Sequence, residues 1–143
     1  MLRDDDEART GFEWLTTSGK RIHPKGHIMP QSSPCGTVLK HDGSVLMQNI
    51  DWHYDSVRPS GNIREGLLVP FRDEDRPIGT IWAMNHDSDR RFNIENLRFL
   101  ESLGKSAGIG YKLHQQQLRL KENDEVTQIL LHELSHRSKT CCF

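Results

Sequence analysis

The chain has 143 residues, with 19 Lys and Arg against 20 Asp and Glu for a formal charge of −1. That length supplies one small core and excludes a second full domain, and near-neutrality leaves no whole-molecule attraction for nucleic acid or an anionic membrane. Apolar runs fall far short of a span, no basic and apolar leader opens the chain, and three cysteines, two of them adjacent, make no disulfide framework, so the sequence reads as a soluble cytoplasmic protein.

Along the chain, the acidic run Asp4-Asp5-Asp6-Glu7 reads as a solvated loop. Gly11 to Gly19 alternates around aromatic and β-branched residues and predicts an early strand. His23 to Gln31, with two prolines and a glycine, predicts a loop. Ser33 followed by Pro34 has the form of an N-cap and a first helical position, so a short helix is expected from there through Cys35 and Leu39. Val45 to Asn49 is a candidate strand. Asp51 to Asn62 has no clean period and contains Pro59 and Gly61, which predicts an irregular excursion over one face of the domain.

Gly66 to Phe71 and Ile78 to Met84 are apolar, partly β-branched runs separated by the polar turn Arg72 to Arg76. They predict an antiparallel hairpin at the centre of a sheet, with Pro70 at an edge or a bulge because it lacks a ladder donor. After the charged loop Asn85 to Arg91, Asn93 is placed to cap a helix and Phe92 to staple back onto Leu97. Helical periodicity then runs through Leu100, Leu103, Ala107, Tyr111 and Leu113. Gly104, Gly108 and Gly110 each cost about 1 kcal/mol against alanine inside a helix, so close packing on the sheet is expected there. Beyond Leu113 the helix becomes highly polar. Leu113, Leu120, Thr127 and Leu134 fall seven apart, the spacing of a coiled-coil seam that Gln117 and Asp124 interrupt.

Several of these segments carry a family resemblance. Arg64-Glu65-Gly66-Leu67-Leu68-Val69-Pro70-Phe71, Gly79-Thr80-Ile81-Trp82 and His86-Asp87-Ser88-Asp89-Arg90-Arg91-Phe92 resemble the later strands of a GAF domain and the approach to its last helix. Ser33-Pro34-Cys35-Gly36-Thr37-Val38-Leu39 is similar to the pattern in GAF domains that precede histidine kinases of the HWE type. The resemblance implies an α+β fold: a GAF-like antiparallel sheet with helices on one side over residues 1–113, continued by a linker helix and the start of a phosphoacceptor helix over 114–143. In that family a helix and a central strand precede the segment matched by Phe12-Glu13-Trp14, and only Met1 to Arg3 stand for that strand here. A second dimerisation helix and an ATP-binding domain are also expected, so the resemblance implies an excerpt of a longer kinase.

Glu133-Leu134-Ser135-His136-Arg137-Ser138-Lys139 is similar to the family's phosphoacceptor box, with Thr140 where the family has asparagine. By that resemblance His136 accepts phosphate and Glu133, on the same helix face, orients the ring. ATP and Mg belong to the full-length family; for this chain no cofactor is expected beyond an unidentified small ligand. The implied partners are a second copy through the linker helix, and a kinase ATP-binding domain or a response regulator acting in trans, without nucleic acid or membrane. A different chemistry also fits the letters. His132-Glu133-Leu134-Ser135-His136 puts two imidazoles at i and i+4 with a glutamate between them, the arrangement of a zinc hydrolase, but that chemistry needs a third ligand. No metal site is assigned.

For a ligand pocket, Trp52, His53 and Tyr54 on the irregular excursion are the candidates, because loops over a rigid sheet carry specificity. Cys35 is a candidate attachment point for a linear tetrapyrrole, against the usual role of a small buried thiol. A GAF-type reductase of free methionine sulfoxide needs partner cysteines inside the domain, and only Cys35 is there.

Overall fold

A computed structural model describes residues 2–4, 11–19, 23–57, 62–87 and 89–141. The acidic run beyond Asp4, together with Pro59, Gly61, Ser88, Cys142 and Phe143, lies outside the described residues. Two units divide the chain, one over Met1–Ile109 and one over Gly110–Phe143.

The first unit is built on a six-stranded antiparallel sheet in the order β3-β2-β1-β6-β5-β4. Its strands are β1 Leu2–Asp4, β2 Gly11–Glu13, β3 Ile28–Pro30, β4 Val45–Gln48, β5 Glu65–Asp73 and β6 Arg76–Asn85. The β5–β6 hairpin forms as its two apolar runs predict and is the longest pair of the sheet, with β6 at the middle and β5 one strand in from the β4 edge. It closes at Asp73↔Arg76 through a two-residue turn in which Glu74 has φ 55. Pro70 pairs with Thr80 of β6, while the register of β4 on β5 ends opposite Leu68 and a bulge follows at Phe71/Arg72. Proline is therefore accommodated where β5 has lost one neighbour and the ladder is about to shift.

Three expectations change. The early strand is only Gly11–Glu13, because β1 and β3 offer it three paired positions each. The loop expected over residues 23–31 contains β3, whose Met29 is fully buried; a single inward side chain leaves no period to read. Ser33 sits at the N-cap of α1, Pro34–His41, but its side chain makes no capping bond. The first turn closes through the backbone bond from Thr37 N to Ser33 O at 3.3 Å.

Side-chain alternation along β5 and β6 supplies two apolar faces. Leu68 packs with Phe12, Trp14, Met29, Cys35, Val38, Ile50, Val57 and Ile63, and Trp82 and Met84 lie against this cluster. That face carries α1 and the single-turn helix α2, Ile50–His53. Leu67 and Val69 point the other way and pack with Leu100 of the last helix, α3, which spans Ile94–Cys141. The antiparallel α+β architecture is as expected. The long helix covers one face, and the structure adds α1 and α2 on the opposite one.

The start of α3 is set by side chains. Asn93 Oδ1 accepts from Asn96 N at 2.9 Å and Asn96 Oδ1 accepts from Asn93 N at 3.0 Å, a reciprocal capping box. Phe92 and Leu97, the expected staple, both join the Leu67–Val69–Leu100 cluster. One turn further, a Cβ on Gly104 would stand 3.2 Å from Pro70 O, and one on Gly108 only 2.1 Å from Arg72 O. These two glycines let the helix backbone lie directly against β5. Gly110 has nothing within 4 Å of such a Cβ, so the packing reason holds for two of the three.

Candidate functional site

Among the candidate pocket residues, the structure brings His53 and Tyr54 together with Met47, Gln48 and Ile50 around an open groove of about 420 Å³. Ile50 anchors it. This side chain is fully buried in the main cluster, and the two neighbours that flank it in the groove wall, Met47 and Tyr54, are partly buried against the same cluster. The α2 turn follows from Asn49, whose left-handed backbone (φ 48) turns the chain out of β4 while its N–H donates to Arg64 O at 2.8 Å. Tyr54 hydroxyl shares a 2.8 Å hydrogen bond with Thr37 Oγ1 of α1, fixing the aromatic wall of the groove to a second element.

The other two candidates sit elsewhere. Trp52 is 70% exposed and outside the groove lining. Cys35 is fully buried in the main cluster. Its sulfur accepts a 3.1 Å hydrogen bond from Thr80 Oγ1, which in turn accepts from Trp82 Nε1 at 3.1 Å. Burial pushes the thiol up to about 11, outweighing the hydrogen bond from Thr80. A neutral, enclosed thiol is a poor nucleophile and a poor metal ligand.

Aromatic packing continues toward β3. Trp14 meets Trp82 edge-on at 5.3 Å and His23 at 5.8 Å, and His23 stacks on His27 at 4.4 Å. Burial and then the charge of His27 depress the pKa of His23, so this buried imidazole is held toward its neutral form. Nothing in the spacing of these residues announces the stack, since its members come from three different segments.

Across the sheet edge, the buried carboxylate of Glu65 accepts from Arg91 Nη1 at 2.8 Å and from Phe92 N at 2.9 Å. Those two bonds, Arg91 first, hold its pKa below the usual glutamate value. This pair ties the start of β5 to the segment leading into α3.

His132, Glu133 and His136 are exposed on α3 in the second unit. Among the described residues no group of three or more His, Cys, Asp and Glu side chains is placed to hold a metal ion. No described helix is long and apolar enough to cross a membrane.

A sequence profile described as "GAF domain" matches residues 1–110. No curated protein sequence matches the chain. Among solved structures, the GAF domain of a two-component sensor histidine kinase from Bacillus halodurans aligns with a TM-score of 0.55 at 14% identity, over 66% of this chain and 67% of that one. The reduced form of fRMsr of Staphylococcus aureus aligns with a TM-score of 0.49 at 21% identity, over 58% of this chain. This chain spans 54% of the Staphylococcus aureus protein, a little over half its length. With the profile match covering well over half of the sequence and the strand and helix order described above, the chain belongs to the GAF domain family.

Proposed function

We propose that this chain is the sensory module of a two-component histidine kinase of the HWE type, reading a small ligand at the Met47–Tyr54 groove and relaying it toward His136. The observation that carries the reading is the single helix α3. Its first turns pack on β5 through Leu100, Gly104 and Gly108, and the same helix reaches Glu133 and His136. A helix seated that closely transmits displacement of the sheet as a shift of its own axis or register. The E-x-x-H-R-x-K lettering of residues 133–139 supports His136 as the phosphoacceptor. One neutral ring nitrogen attacks the γ-phosphorus of ATP, the bond to the bridging oxygen breaks, ADP leaves, and Glu133 takes up the proton from the other nitrogen. The nucleotide and its Mg ion are brought by an ATP-binding domain acting on this chain.

Incubation of the full chain with radiolabelled ATP, Mg and a purified HWE-type ATP-binding domain tests the assignment. The expected result is an acid-labile, base-stable label that is lost in His136→Gln and kept in His132→Gln. No label on the wild type, or a label that survives His136→Gln, overturns it.

A further inference from the structure

A second, smaller cavity of about 190 Å³ lies between the end of β4 and the loop before α3, lined by Gln48, Asn49, Arg64, Asp87, Arg90 and Arg91. Its charge is lopsided, with three arginines and one aspartate among the lining residues. Arg91 is already compensated by Glu65, and one oxygen of Asp87 is occupied by Asp89 N at 3.0 Å. Arg64 and Arg90 form no ion pair among the described residues.

The supports of these side chains are fixed before any ligand arrives. Arg64 is held on both sides, its N–H donating to Asn85 O at 2.9 Å and its carbonyl accepting from Asn49 N at 2.8 Å. Arg90 is held by the bond from Asn85 Nδ2 to its carbonyl at 2.6 Å, and Asn85 Oδ1 in turn accepts from Asp87 N at 2.9 Å. The lining residues are therefore drawn from the turn after β4, the approach to β5 and the loop before α3, each on a hydrogen-bonded backbone. Planar guanidinium forks bind oxyanions through paired charge-assisted hydrogen bonds, and a lining drawn from three segments suits a tetrahedral anion with three or four oxygens better than the two coplanar oxygens of a carboxylate.

We infer that this pocket binds a phosphate group, either as free inorganic phosphate or as a small phosphate monoester. Gln48 lines both this pocket and the neighbouring groove, so the organic part of a monoester has an adjoining surface on Met47, Ile50 and Tyr54. The inference stands whether or not that groove senses a ligand.

Titration calorimetry on the full chain, with inorganic phosphate and then phenyl phosphate at constant ionic strength in a chloride background, tests it. Saturable one-site binding is expected, weakened tenfold or more by R64Q and by R90Q while circular dichroism and melting in phosphate-free buffer stay as in the wild type. Tighter binding of phenyl phosphate identifies the monoester; equal affinities identify the free ion. If R64Q fails to fold, R90Q, whose side chain is exposed on a loop, decides alone. No saturable binding of either probe, or binding unchanged in the folded variants, overturns the inference.

Discussion

Cys35 illustrates how far a single side chain is legible. A cysteine just inside a Ser-Pro helix start is expected to be small and buried, and it is. Its partner Thr80 lies forty-five residues away, and only the fold brings the two together. The shift has a sign that can be tested. The unfolded thiol titrates near 9.0 and the folded one near 11, so the folded state keeps its proton longer. The stability this confers is complete below about 9 and is lost as pH rises through about 11. That difference corresponds to roughly 2–3 kcal/mol. Other groups also titrate in that range, which is why the difference from Cys35→Ala is the useful quantity. Urea unfolding of both proteins is expected to show a gap that narrows by that amount between pH 8.5 and 11, and a gap independent of pH refutes the account.

At the scale of elements, what could be read depended on length and period. The β5–β6 hairpin and the start of α3 announce themselves through apolar runs and through Asn93 as a cap beside the Phe92–Leu97 staple, and they fall where expected. β2 and β3 are three residues each, too short for alternation to register, and they exist because neighbouring strands pair with them. α2 is a single turn held by Ile50 in the core rather than by helix propensity. The groove is half legible for the same reason: His53 and Tyr54 stand out as polar aromatics on an irregular segment, whereas Met47 and Gln48 belong to a strand that reads as purely structural. The α3 glycines supply a direct test of the packing argument. Gly108→Ala forces a methyl group into Arg72 O and is expected to cost about 1–3 kcal/mol through overpacking. Gly110→Ala meets open space and is expected to stabilise by about 0.5–1 kcal/mol through helix propensity alone. Thermal melts of the two variants should move in opposite directions; parallel shifts would mean that α3 does not rest on β5 through Gly108.

For the whole molecule, the strongest expectation concerns the later part of α3. Leu120, Val126, Ile129, Leu130, Leu131 and Leu134 are each more than half exposed, on a helix whose other residues in this stretch are mostly charged or polar. On the sevenfold spacing Leu120, Thr127 and Leu134, with Leu131 at an intervening position, share one helix face that Asp124 interrupts, while Ile129 falls on the opposite face. Covering a large aliphatic side chain contributes roughly 1.5–3 kcal/mol, so a few from each of two chains offset the cost of association and reach micromolar affinity at about 8 kcal/mol net. A second copy of this chain is the expected occupant, because two-fold pairing sets the same leucines of each chain against one another. Sedimentation equilibrium of the full chain is expected to show a dimer that Leu131→Lys with Leu134→Lys converts to monomer. Both positions are exposed, so the melting of the sheet should be unaffected. A wild-type monomer across the accessible concentration range sinks the dimer, while leaving the phosphate pocket and its arginines untouched.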